Sequence, residues 1–138
     1  MTPKSIRLTL PSSPKAVTRV EGFLRKIGSK VPLDEIQFHK LMVSLTEAVN
    51  NAIIHGNKSN PKKKVVVVCH CMPDELVFTV SDQGKGFDLE QVENPLADEN
   101  LTRTSGRGIF LMRTLMDKVE YEMSKKGATV TLVLQLKK

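Results

Sequence analysis

The sequence predicts an α+β fold: a two-layer α/β sandwich in which helices cover one face of a mixed, mostly antiparallel sheet. Two observations carry this. The elements read in the order strand, two helices, hairpin, loop, helix, hairpin. The chain has 138 residues and no internal repeat, which fits one domain spanning 1–138 with a core of its own.

Each element follows from its local pattern. Residues 5–10, "SIRLTL", alternate apolar and polar like a half-buried strand, and "PSSPKAVTRVEGFLRKIGSK" then reads as a helix opened by Ser-Ser-Pro and closed near Gly28. A second helix is expected from about 33 to 55, with Asp34 and Glu35 in its first turn after Pro32 and Gly56 as its stop. The β-rich runs "VVVVCHCM" and "ELVFTVSD", separated by Pro73 and Asp74, predict a hairpin. A long polar segment follows from 83 to 105, too long for an idle connection. A short helix, "GIFLMRTLMDK", and a hairpin turning at Lys126-Gly127 in "VEYEMSKKGATVTLVLQL" close the chain.

Composition narrows the function. A net charge of +6 points to an anionic partner. The clearest basic run, "NPKKK" at 60–64, has no aromatic neighbour on which a base could stack, so it reads as a solvated turn and no nucleic-acid partner is expected. No apolar run is long enough to span a bilayer, and "MTPKSIRLTL" lacks the apolar stretch and cleavage site of a secretory signal, so no membrane partner and a cytoplasmic location are expected. Cys69 and Cys71 share one strand face, where a disulfide between near neighbours is strained, while His70 points the other way. Reduced thiols packed as small hydrophobes are the expectation.

Three segments carry chemistry. In "SLTEAVNNAIIHG", residues 44–56, Ser44, Glu47, Asn51 and His55 fall along one helical stripe, opposite Phe38, Leu41, Leu45, Val49 and Ala52. Glu47 and Asn51, about 5–6 Å apart at Cβ, can hold a divalent cation beside an attacking oxygen, although an exposed polar face is the commoner meaning of such a stripe. "SDQGKGFD", 81–88, leaves a strand at Asp82, whose carboxylate can accept from an amino group, while Gly84 and Gly86 let a flat ligand approach. Alone it is an ordinary Asp-Gly turn. "TSGRGIFLM", 104–112, places Gly-x-Gly at a helix start, where free N–H groups with Arg103 and Arg107 favour an anion; a glycine hinge with solvated arginines is the bland alternative. It is neither a Walker loop nor a dinucleotide fingerprint, since Gly-Lys-Ser/Thr and a surrounding βαβ unit are both missing.

In this order the segments resemble the Bergerat-type, histidine kinase-like ATP-binding superfamily of gyrase, Hsp90, histidine kinases and mismatch-repair proteins, from about 33 to 136. Within it, "LTEAVNNAIIHGN" and "GRGIFLMRTLMDKVEY" are similar to the anti-sigma factor serine/threonine-protein kinases of bacterial partner switching. The resemblance implies ATP and Mg²⁺ as cofactors. Asn51 would hold Mg²⁺, Asp82 the adenine amino group, Gly84 and Gly86 the base pocket, and Gly106, Arg107 and Gly108, with Arg103 and Ser105, the phosphates. Glu47 would be the general base toward a serine of the partner. Where the superfamily often has Gly-Thr, this chain has Ala128; Thr129, also in the candidate cofactor-binding set, points to the other strand face, so an adenine contact is lost or made by water.

The implied function is an anti-sigma factor and serine-protein kinase that binds a sigma factor and phosphorylates an anti-anti-sigma factor, as a homodimer. The length leaves no room for the coupling domain of gyrase-like ATPases or the phosphoacceptor hairpin of a sensor kinase. The competing reading is an ATP-binding interaction module without kinase activity. Residues 94–105 are expected to form a lid over the phosphates.

Overall fold

The computed structural model describes residues 4–84 and 110–136. Five strands form one sheet in the order β1-β2-β3-β5-β4: β1 Lys4–Pro11, β2 Lys64–Cys71, β3 Glu75–Ser81, β4 Lys118–Ser124 and β5 Gly127–Gln135. All four pairings are antiparallel, so among the described residues the sheet is more uniform than the mixed one expected. The two expected hairpins are β2–β3, whose turn is closed by Met72 N–H to the Glu75 carbonyl at 3.0 Å, and β4–β5, which turns at Gly127 with φ +147°. The second hairpin docks on the first through β5, with Ser81 opposite Thr129.

Period two decides what each strand buries. Val65, Val67 and Cys69 of β2, Leu76, Phe78 and Val80 of β3, and Val130, Leu132 and Leu134 of β5 turn toward the helices. The helix between β1 and β2 opens differently from the expectation. Ser13 is extended and Pro14 leads a 3₁₀ turn, Pro14–Thr18, before α1 proper, Arg19–Gly28. Val20, Phe23, Leu24 and Ile27, spaced at three and four, form its buried face.

Helix α2 spans Glu35–Asn51. Asp34 is its cap rather than a first-turn residue: its Oδ1 accepts from Gln37 N–H at 2.7 Å, and Gln37 Oε1 accepts from Asp34 N–H at 3.0 Å. This reciprocal box satisfies two amide donors at the helix start. The regular helix stops short of the expected 55, and Ala52–Gly56 continue as a single π turn. Leu41, Leu45, Ala48 and Val49 enter the core, whereas Phe38 is only half-buried and carries the Arg25 guanidinium 5.7 Å above its ring. A helical segment occupies 110–115, and Met112 within it and Met116 just after it are buried.

Candidate functional site

Asp82 sits one residue past β3 and is built into the sheet. Its N–H donates to the Ala128 carbonyl at 2.9 Å, and its carboxylate Oδ1 accepts from Ala128 N–H at 3.1 Å and from Gly84 N–H at 2.9 Å. The side chain thus replaces a main-chain carbonyl in one further rung between β3 and β5. Oδ2 makes neither bond and lies against Gly56. The glycines permit the close packing: a Cβ on Gly56 would fall inside the Asp82 carboxylate, and one on Gly84 inside the Gly56 carbonyl. A side chain on either would collide here, so both glycines are needed for Gly56 and Gly84 to pack against Asp82. The sequence read Gly56 only as a helix stop; its approach to Asp82 needs the fold.

Asn57 was missed, and it fixes the other side of this turn. It is fully buried; its Nδ2 donates to Ser12 Oγ at 2.7 Å and to the Lys64 carbonyl at 3.0 Å, and its Oδ1 accepts from Gln83 N–H at 2.7 Å. Gln83 Oε1 in turn accepts from Lys64 N–H at 2.6 Å. Lys58 and Ser59, with φ 53° and 57°, turn the chain away immediately afterwards. The signal available in the sequence was an asparagine just past a helix-stopping glycine, which by itself says only loop.

The α2 stripe is half right. Glu47 and Asn51 are partly exposed. Ser44 is not with them: it is fully buried between Leu41 and Ala48 on the core arc, and its Oγ has no hydrogen-bond partner. The core arc is wider than the opposite-face reading allowed because α2 is flanked on more than one side. His55 lies within the π turn, where the four-residue step that would stack it on Asn51 no longer holds. Burial lowers its pKa, with Lys58 adding to the effect.

The second residue that sequence reasoning missed is Tyr121. It alternates with Glu120 and Glu122, so that its ring turns to the helix side of β4 and packs against the core. Burial pushes the phenol up to about 12; Asn51 and Arg113 oppose the shift, while Asp82 and Glu47 reinforce it. One phenol therefore lies within electrostatic reach of α2, the end of β3 and the segment 110–115.

Thr129 requires a correction. Its Oγ1 is 3.0 Å from Ser81 Oγ on the sheet face away from the helices, because the alternation that turns Ala128 inward turns Thr129 outward. Its hydroxyl is held away from the Asp82 cradle. Gly86, Arg103, Ser105, Gly106, Arg107, Gly108 and the expected lid at 94–105 lie outside the described residues. Glu47 also lines an open cleft of about 910 Å³ beside α1 and α2, together with Arg25, Leu33, Phe38, Met42 and Val43. Asp82 is not among the residues that line it.

No cluster of three or more His, Cys, Asp or Glu able to hold a metal occurs among the described residues. A divalent ion here would take most of its oxygens from phosphates and water, with Asn51 as the protein ligand, which suits Mg²⁺. Cys69 and Cys71 are free thiols with sulfurs 3.9 Å apart, and burial, with Cys71 adding, pushes the Cys69 thiol well above its ordinary range. His70 faces the other way and bonds Ser5 at 2.9 Å. This matches the expectation of packed, reduced thiols.

Comparison with known proteins agrees with this geometry. The serine-protein kinase RsbW of Staphylococcus epidermidis is 32% identical over 142 residues, covering 96% of this chain and 87% of that protein. The anti-sigma F factor of Oceanobacillus iheyensis is 37% identical over 110 residues, covering 77% and 73%. Among solved structures, the RsbU and RsbW domains of Rv1364c from Mycobacterium tuberculosis superpose with a TM-score of 0.70 at 19% identity, over 95% of this chain and 32% of that one, a likeness of fold. With the histidine kinase-like ATPase domain model matching residues 10–134, the chain belongs to that family.

Proposed function

We propose that this chain is an ATP-dependent serine-protein kinase and anti-sigma factor of the partner-switching type, one that binds a sigma factor and phosphorylates an anti-anti-sigma factor on serine. The observation that carries it is the Asp82 cradle. A carboxylate locked by two N–H donors leaves one oxygen for an exocyclic amino group, between glycines that have no room for a Cβ. The names of the relatives supply the acceptor, serine, and the anti-sigma role.

Each residue has a distinct task. Asp82 selects adenine over guanine because it can only accept. Asn51 would hold Mg²⁺ through its Oδ1, and Mg²⁺, when bound, supplies charge neutralisation of the phosphates. Glu47, which lines an open cleft, takes the proton of the acceptor serine. Gly106, Arg107 and Gly108, with Arg103 and Ser105, hold phosphate oxygens. No helix among the described residues is long and apolar enough to cross a membrane. The same reading extends to a cytoplasmic homodimer, which sedimentation would test. Calorimetric titration with Mg-ATP is the primary experiment, followed by phosphate transfer to anti-anti-sigma proteins. Absence of binding heat at millimolar nucleotide would sink the proposal, and binding without transfer would reduce the chain to a nucleotide-responsive interaction module.

A further inference from the structure

The cradle at the end of β3 has two arms, and they come from distant parts of the chain. One is the turn from Asp82 to Gly84; the other is Gly56 at the end of the π turn, whose carbonyl packs on Gly84 and whose Cα lies against the Asp82 carboxylate. Two glycines in contact bury no side chain, so packing alone holds the arms weakly. A directional bond joins them instead: the Oδ1 of Asn57, the residue after Gly56, accepts from Gln83 N–H in the middle of the opposite arm at 2.7 Å. We infer that Asn57 is a positioning residue for base recognition: by holding Gln83 it sets where Asp82 Oδ2 stands relative to Gly56, and with it the preference for a base that carries an amino group.

The Asn57 amide has one orientation. Its Nδ2 spends both hydrogens, on Ser12 Oγ at 2.7 Å and on the Lys64 carbonyl at 3.0 Å, so a turned amide would set its oxygen against that carbonyl and its NH₂ against Gln83 N–H. The anchors are fixed in their turn. Ser12 Oγ donates to the Lys63 carbonyl at 2.8 Å, which leaves its lone pairs for Nδ2, and Lys64 stands opposite Pro11 where β1 and β2 pair. Gln83 Oε1 accepts from Lys64 N–H at 2.6 Å, so its side chain is fastened to the same strand start. Asn57 and Ser12 are both buried, where a lost bond is not replaced by water. The bonds inside the Asp82 turn do a different task. Gly84 and Ala128 N–H both hold Oδ1 and fix the rotation of the carboxylate, but neither ties it to the Gly56 arm. The donors of Asn57 secure β1 and β2; its acceptor alone reaches the cradle.

The inference rests on the reading of Asp82 as the base-reading residue, and the test separates the two. Inosine diphosphate carries a carbonyl where ADP has its amino group, so the ratio of their dissociation constants reports on that contact and not on folding. Asn57→Ala, assayed well below its melting temperature, should cut the preference for ADP about fivefold, the worth of one net hydrogen bond, and leave binding of Mg-pyrophosphate, which has no base, within about twofold. Ser12→Ala should lower Tm yet keep the preference within about twofold, because the bond from Gln83 to Oδ1 survives. An unchanged ratio in Asn57→Ala, or an equal fall in Ser12→Ala, would overturn the proposal. Should Asn57→Ala fail to fold, hydrogen exchange of the parent decides: the Gln83 amide should be protected in the free protein and gain protection from ADP but not from pyrophosphate, and an amide that exchanges freely or answers both ligands alike would overturn it. A parent that binds ADP and inosine diphosphate equally, or neither, would refute the reading of Asp82 and this inference with it.

Discussion

Replacing Asp82 by Asn tests the division of labour between its two oxygens. Both N–H donors, from Gly84 at 2.9 Å and Ala128 at 3.1 Å, converge on Oδ1, so the asparagine carbonyl is compelled to stay there and its NH₂ must take the place of Oδ2 beside Gly56. Each retained bond falls from a charged acceptor, worth about 1.5–3 kcal/mol, to a neutral one, worth about 0.5–1.5 kcal/mol. The loss is about 1 kcal/mol per bond and about 2 kcal/mol together, or a fall in Tm of roughly 7 °C for a chain of this size. At the base, an acceptor becomes a donor facing the adenine amino group. Losing a charged hydrogen bond worth about 1.5–3 kcal/mol weakens ATP binding about 10- to 150-fold. Isothermal calorimetry and a melting curve measure both on the same preparation. The reasoning fails if Asp82→Asn binds ATP within about threefold of the parent while melting several degrees lower, because Asp82 would then serve the sheet alone.

Glu47→Gln should keep nucleotide affinity and slow phosphate transfer by about 10²–10⁴, since an amide cannot take the serine proton; equal transfer rates would refute the base assignment. Ser44→Ala should raise stability by about 1 kcal/mol, because it removes a buried hydroxyl that has no partner; a lowered Tm would show the hydroxyl to be bonded. Tyr121 governs a pH effect. Its phenol ionises near 10 in the unfolded chain and at about 12 in the folded one, so its contribution is present in full below pH 10 and is lost as pH rises toward 12. Tyrosinate absorbance of the native protein should therefore lag that of the urea-unfolded chain, and coincident titrations would contradict the burial.

What the sequence revealed was what local spacing encodes. The two hairpins, the apolar faces of the helices and the Asp-x-Gly turn each depend on residues within one or two turns of one another. Glu47 and Asn51 share a partly exposed side of α2 because a four-residue step repeats on a helix, and the same rule failed at His55, where the π turn changes the step. Ser44 was misplaced because periodicity gives the direction of a side chain and not the width of the arc that neighbouring elements cover. Tyr121, Asn57 and the packing of Gly56 on Asp82 were invisible for one reason: each acts on a residue far along the chain, and alternation on a strand tells which face a tyrosine takes but not whom it meets there.

The bond from Ala128 to Asp82 joins residues separated by 46 positions. Each hairpin, β2–β3 and β4–β5, is made of near neighbours, but the seam between β3 and β5 must close a long chain segment, at an entropic cost of about 3 kcal/mol before any contact repays it. Asp82, the proposed base-reading residue, lies at the end of that seam. A nucleotide gripping Asp82 on one side and Asn51 on the other therefore straps together the two parts of the chain that are slowest to find each other. Its expected kinetic mark is slower opening of the seam, read as greater hydrogen-exchange protection of the Ala128 amide on adding ADP than of the amides between β1 and β2. The occupied site would govern how long the fold survives as well as what it phosphorylates.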